Sequence, residues 1–291
     1  MKIAVNTWSL QKLSLANGKS LDEILELIAR MDVQAVQTNV DYTLLAPYNS
    51  IRGYERLRRR VEGLGMELYS LLVQMNIPGA VRLTSAHDVV NQIEIYLAKA
   101  AALGCTILTM PPGDGWQGID DALGHRMLVD VFQRVMPTAE EYGVKIGLEV
   151  GRAAGTFKTP AYALKLVKTI QSNYLTIVPD FEAWRFATDD LPLGVVERPG
   201  EVPPEPASMK LFQDCLPYSP YIHAKFLRFD EAGEEPHFPV PELIDAIKLS
   251  GKDHVLCVEY EGWIPDIDPH LDPVAETRKG VALLKRRLQA K

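Results

Sequence analysis

Short apolar, β-branched runs recur along the whole chain, at Lys2–Thr7, Ala35–Thr38, Glu67–Val73, Thr106–Met110, Lys145–Glu149, Thr176–Pro179, Tyr221–Phe226 and Val255–Tyr260. Each has the length of a strand, and segments of helical periodicity separate most of them. Ser20–Arg30 carries Leu21, Ile24, Leu25 and Ile28 on one face, and Val89–Leu103 is rich in Ala, Ile and Leu. Ser20 with Glu23 forms a capping-box pattern, and Gly65, Gly104 and Gly143 stand just before strands, where helix C-cap glycines belong. The strand starts lie about 30 to 45 residues apart, the length of one βα unit. Eight such units in 291 residues, ending with a helix over Pro273–Leu288, predict a single α/β domain over 1–291, a (β/α)8 TIM barrel. An open doubly wound sheet is the alternative.

One stretch breaks the rhythm. From Arg185 to Pro220 the sequence holds seven prolines, including Pro199, Pro203, Pro204 and Pro206, and little periodicity. It predicts a long loop over 185–220 after the sixth strand, either a lid or partner-binding flap or a bystander connector.

Composition narrows the partners. With 47% hydrophobic and 24% charged residues the chain can bury a sizeable core. Its 31 Lys and Arg against 38 Asp and Glu leave a net charge of −7, the wrong sign for a nucleic-acid backbone. No apolar run reaches the roughly 18 residues of a membrane span, and MKIAVNTWSL lacks a signal-peptide core, so the expectation is a cytoplasmic protein that engages no membrane. Cys105, Cys215 and Cys257 form no C-x-x-C and read as thiols, Cys105 and Cys257 as buried small hydrophobes.

In a barrel of this kind the active site lies at the C-terminal strand ends, and four consecutive strands carry polar residues there. Strand five ends IGLEVG with Glu149, strand six ends TIVPDF with Asp180, strand seven carries YIHAKF with His223, and strand eight carries LCVEYEG with Glu259. A carboxylate or imidazole inside an apolar strand costs several kcal/mol unless it is paired or bound to a metal. Three crowded carboxylates would also raise one another's pKa values, a cost a divalent cation removes. A Glu149/Asp180/His223/Glu259 metal site is therefore expected, the oxygen-rich donor set favouring Mn²⁺, with Mg²⁺ or Co²⁺ as alternatives. The competing reading is buried ion pairing with Lys225, Lys145 or Arg152.

These segments, in this order, resemble the xylose isomerase-like barrel superfamily, which includes sugar isomerases and epimerases and the endonuclease IV group; the likeness covers the whole chain. The resemblance implies one divalent metal, usually manganese, on Glu149, Asp180, His223 and Glu259. It also implies that Glu149 and Glu259 are the catalytic pair that moves a proton next to a metal-bound carbonyl of a sugar, from opposite faces, in a metal-dependent isomerase or epimerase. The chemistry is consistent with a Lewis acid stabilising an enediolate while two carboxyls of different protonation act as base and acid. Two positions depart from the epimerase pattern: Ala183 stands where many have a substrate-binding histidine, and Gly155 where an acidic residue is common. The pairing of HAKF with EYEGW is similar instead to the catalytic alpha subunits of C-glycoside deglycosidases. That branch, the alternative to the leading expectation of an isomerase or epimerase, implies elimination from a 3-oxo-C-glycoside, with manganese and a small β-sandwich partner subunit. Expected partners are thus a sugar or glycoside and either further copies of the chain or a small subunit.

Around this set, Lys225 shares the inward face of His223 by strand alternation and either holds a substrate oxygen or pairs with Glu259 or Glu261. Glu261 shares the face of Glu259 and is the alternative ligand. Asn6, Trp8 and Trp263 are candidate substrate-binding residues, with ordinary packing as their alternative. His87, His125, His237, His254 and His270 read as solvated, and Arg56, Arg58, Arg59 and Arg60 as a solvated helix face. Gly113, Gly115 and Gly118 spell G-x-G-x-x-G, but Pro111 and Pro112 separate it from its strand. No G-x-S-x-G occurs, and the first three strands offer no histidines or aspartates for an endonuclease-type multi-metal site. A metal-free binding barrel is the remaining non-enzymatic reading.

Overall fold

A computed structural model describes residues 1–39, 43–113, 119–151, 156–186, 205–263 and 270–290. Eight parallel strands form one sheet: β1 (Lys2–Asn6), β2 (Ala35–Asn39), β3 (Glu67–Leu72), β4 (Ile107–Met110), β5 (Lys145–Val150), β6 (Leu175–Pro179), β7 (Tyr221–Phe226) and β8 (Val255–Tyr260). Their order is β6-β5-β4-β3-β2-β1-β8-β7, and the two ends meet through the parallel bridge Asp180↔His223. The sheet is thus a nearly closed TIM barrel, and the open doubly wound alternative falls.

Local chemistry matches the expected elements. Ser20 accepts from the Glu23 backbone while the Glu23 side chain returns the bond, capping the helix Leu21–Ala29. Gly104 and Gly143 take the left-handed conformation at the ends of Ala86–Leu103 and Asp121–Tyr142. Helices cover the outside of the strands, whose outward side chains build the main core with them. Inside, Ala4, Ala35, Ile107, Val178, Tyr221, Val255 and Cys257 pack together. Gly147 belongs here, because a Cβ on it would lie 2.6 Å from Val178 Cγ2 and 2.9 Å from Ile107 Cγ2.

Inward side chains of alternate strands stack in layers. Following the strand partners around the barrel places Asn6, Leu72, Glu149 and His223 in one layer. Asn39, Asp180 and Glu259 lie in the layer above, toward the C-terminal mouth, and Gln37, Thr109, Val178 and Cys257 in the layer below. The two glutamates, the aspartate and the histidine therefore occupy adjacent layers.

Two expectations need correction. The proline-rich segment is not loop throughout: Met209–Cys215 is helical, with Ser208 accepting from Leu211 N, and Leu216–Tyr218 forms a 3-10 turn. Phe212 anchors that helix, its ring 4.8 Å from Trp184. Of the lid or partner-binding flap expected over 185–220, residues 187–204 lie outside the described residues, as do Arg152, Gly155, Gly115 and Gly118. His237 and His254 are buried rather than solvated. His237 Nδ1 is 2.6 Å from Glu235 Oε1, and His254 Nδ1 is 2.6 Å from the Ser219 carbonyl oxygen, so both rings have their polar edges satisfied by the fold. The three cysteines are free and buried. Among the described residues no helix is long and apolar enough to cross a membrane.

Candidate metal centre

Glu149, Asp180, His223 and Glu259 converge: one ligand atom from each lies within 4.8 Å of the others, and all four are buried. β5 delivers Glu149, the turn after β6 delivers Asp180, β7 delivers His223 and β8 delivers Glu259. Asp180 is also the N-cap of the short helix Phe181–Trp184, its Oδ1 accepting from Glu182 N at 2.9 Å, which leaves Oδ2 facing the cluster. His223 Nδ1 lies 2.9 Å from Glu149 Oε1 and 3.5 Å from Glu259 Oε2.

Lys225 enters the same cluster. Its Nζ is 3.2 Å from Asp180 Oδ2, 3.6 Å from Glu259 Oε1 and 3.0 Å from Glu261 Oε2. The two roles considered for it thus coincide in place, because its ion pairs are made at the cluster's rim. Lys145 instead donates to the Asn173 carbonyl, away from it. Glu261 stands one step outside the four, accepting from Trp8 Nε1 at 3.0 Å. Trp8 and Trp263 lie with ring centroids 5.2 Å apart, and Asn6 Nδ2 donates to Glu259 Oε2 at 2.6 Å.

The charges pull the carboxyls apart. Burial pushes Glu259 up to about 7 despite the Lys225 and His223 charges, and burial raises Asp180 as well. Burial also pushes on Glu149, but His223 outweighs it and holds this carboxyl well below its ordinary range. In return Glu149 and Glu259 overcome the burial that would lower His223 and keep its imidazole charged. Glu149, Asp180, Glu259 and Glu261 outnumber the two cations His223 and Lys225 by two.

The donor set fits a divalent cation. Three carboxylates and one imidazole suit oxygen-preferring metals. The imidazole is also held as a ligand needs to be: Gln37 Oε1 sits 2.8 Å from His223 Nε2, so that nitrogen carries the proton and donates, and Nδ1 faces the carboxylates. The same oxygen accepts from the Tyr221 hydroxyl at 2.7 Å, and the Cys257 thiol reaches it at 3.7 Å. Replacing Gln37 with Leu is expected to weaken Mn²⁺ binding by about 10- to 100-fold, measured by titration calorimetry, and Gln37→Glu, which keeps the acceptor, to restore most of it. Equal Mn²⁺ affinity for Gln37→Leu and wild type would show that the amide does not orient the ring.

Gln37 was missed from the sequence, as were Asn39 and Glu182. The signal existed for the first two, since both interrupt the apolar strand AVQTN on its inward face. Glu182, two residues beyond Asp180, pairs with Arg185 at 3.3 Å and is pushed by burial up to about 7.

Known proteins carry related chains. The chain is similar to the C-glycoside deglycosidase alpha subunit of Arthrobacter globiformis, 36% identical over 58 residues, and that stretch is 20% of this chain and 16% of the relative. It is 21% identical to the 3'-dehydrocarminate deglycosidase alpha subunit of a Microbacterium species across 74% of this chain and 77% of the relative. Among solved structures, the D-psicose 3-epimerase of Clostridium cellulolyticum H10 superposes with a TM-score of 0.73 at 14% identity, covering 100% of both chains. An L-ribulose 3-epimerase gives 0.72 at 15% identity, covering 99% of this chain and 94% of that one. At such identities these two structures speak for the fold. The sequence profile of the xylose isomerase-like TIM barrels matches residues 25–287, and with the eight-stranded barrel already described it establishes that the chain belongs to that family.

Proposed function

We propose that the chain is the catalytic subunit of a manganese-dependent lyase that removes the aglycone from 3-oxo-glycosides, C-glycosides among them, by elimination. The observation that carries the chemical step is the pair Glu149 and Glu259, brought from β5 and β8 to within 2.9 and 3.5 Å of one imidazole nitrogen. Similarity to a deglycosidase alpha subunit along 74% of the chain supports the substrate class. So does Ala183, in the place where the epimerase pattern has a histidine.

A divalent cation held by Glu149, Asp180, His223 and Glu259 would supply Lewis acidity at the substrate's carbonyl oxygen. Glu149, kept ionised, takes the proton from the carbon next to the carbonyl, and the C–H electrons move toward the carbonyl oxygen. They return to form a carbon–carbon double bond as the bond to the aglycone breaks, and the Glu259 carboxyl gives a proton to the departing atom. The Lys225 ammonium lies where it can stabilise negative charge developing at the rim of the cluster. A second, small subunit and a cytoplasmic setting complete this reading.

Epimerisation is the second reading, favoured by the barrel's likeness to ketose 3-epimerases. It shares the first step and differs in the second, Glu259 returning a proton to the opposite face of the same carbon. Incubation in heavy water with Mn²⁺ and a panel of ketohexoses and 3-oxo-glycosides separates the two by mass spectrometry. Released, deuterated aglycone is the expected result; deuterium in an otherwise intact sugar selects epimerisation, and neither outcome on any substrate refutes both.

A further inference from the structure

We propose that Asn39 is a substrate-recognition residue whose carboxamide takes a donor and an acceptor from neighbouring oxygens of a sugar ring. Asn39 ends β2, and strand alternation with Ala35 and Gln37 turns it inward. The strand register sets it in the layer of Asp180 and Glu259, on the strand opposite β6. It thus faces the metal-binding groups across the mouth of the barrel rather than standing among them.

Its side chain is buried, 4% exposed, and neither Nδ2 nor Oδ1 has a hydrogen-bond partner among the described residues. Asn6, the comparable amide on β1, is fully engaged, donating to Glu259 and accepting from Trp8 N. Gln37, one layer down on the same strand, spends its oxygen on His223 and Tyr221. Asn39 alone of these three amides has both its donor and its acceptor uncommitted. Two buried, unpaired polar atoms cost stability, and a group kept at that cost in the ring of the reactive carboxylates calls for a ligand that pairs it. A carboxamide presents one donor and one acceptor side by side, which matches vicinal hydroxyls, or a hydroxyl beside a carbonyl, on a sugar. The inference rests on the sugar-site reading above.

The test uses Asn39→Leu, close in volume and unable to hydrogen-bond, and Asn39→Asp, which keeps acceptors and loses the donor. Asn39→Leu is expected to raise the thermal midpoint of the ligand-free protein by about 2 to 4 °C, since an unpaired amide is replaced by an apolar group. It is expected to raise KM at least tenfold on the panel substrate that wild type turns over, with kcat changed less, and Asn39→Asp to fall between. Calorimetry of the Mn²⁺-loaded proteins with D-fructose and methyl glucoside reads the same loss without turnover. A lower midpoint for Asn39→Leu overturns the proposal, because the amide is then satisfied within the fold or by a buried water. A raised midpoint with unchanged KM and sugar binding overturns it too. Wild-type protein that neither binds nor turns over any of these sugars removes the sugar-site reading itself, and this assignment with it.

Discussion

Glu149→Gln is expected to lower the rate of proton abstraction by about 10³-fold or more at saturating Mn²⁺, with the folded structure retained. The substitution keeps the shape of the side chain and one oxygen toward the cluster, but an amide cannot accept the proton. It also removes the strongest partner of His223, whose imidazole Glu149 helps to hold at about 9 against its burial. A group whose folded pKa lies above its unfolded value of roughly 6.5 stabilises fully below that unfolded value, and the contribution is lost as pH rises through the folded pKa. Metal-free wild type should therefore lose this contribution as pH approaches 9, and the variant should lose it at lower pH. Deuterium exchange gives the first result and denaturation at a series of pH values the second. A variant that keeps more than a tenth of wild-type exchange would move the base elsewhere, and Glu182 would be the next carboxyl to test.

The same residues explain which parts of this molecule could be read in advance. β7 and β8 were bounded to the residue: Pro220 and His254 precede them, and Glu261 follows Tyr260 at the end of β8. The four metal-binding candidates stood out because ionisable groups in apolar strands have few inexpensive explanations. Gln37 and Asn39 interrupt β2 in the same way, yet a neutral amide carries a smaller burial penalty and raises no electrostatic alarm. His237 and His254 were misread because burial depends on partners. Glu235 was close enough in sequence to be seen, whereas the Ser219 carbonyl comes from a turn 35 residues from His254. The helix Met209–Cys215 had a legible cap in Ser208, which the surrounding prolines outweighed in the reading. Convergence itself was inferred only through the barrel: nothing local in PDF or YEG reveals that Lys225 would reach Asp180, Glu259 and Glu261 together.

Lys225→Met should be the most damaging single change to the metal-free protein, lowering its thermal midpoint by on the order of 10 °C at pH 8. The Lys225 side chain is 13% exposed and, among the described residues, its ammonium is the one cation shared by Asp180, Glu259 and Glu261. Removing one partner of a buried charge pair costs about 3–5 kcal/mol, because the other charge stays buried without compensation. Two features make the prediction specific to charge. Burial already raises Asp180 and Glu259 while Lys225 lowers both, so its loss sends them higher still. A carboxyl whose folded pKa is raised binds its proton on folding, so stability falls as pH rises, and the variant's deficit should be small at pH 5 and large at pH 8. A divalent cation should replace the missing positive charge, so Mn²⁺ should restore much of the midpoint in the variant and raise the wild type less. Denaturation at both pH values, in chelator and in Mn²⁺, checks this directly. A deficit independent of pH and of Mn²⁺ would assign the role of Lys225 to the packing of its stem, and the carboxylates around it would then have to be compensated by other groups.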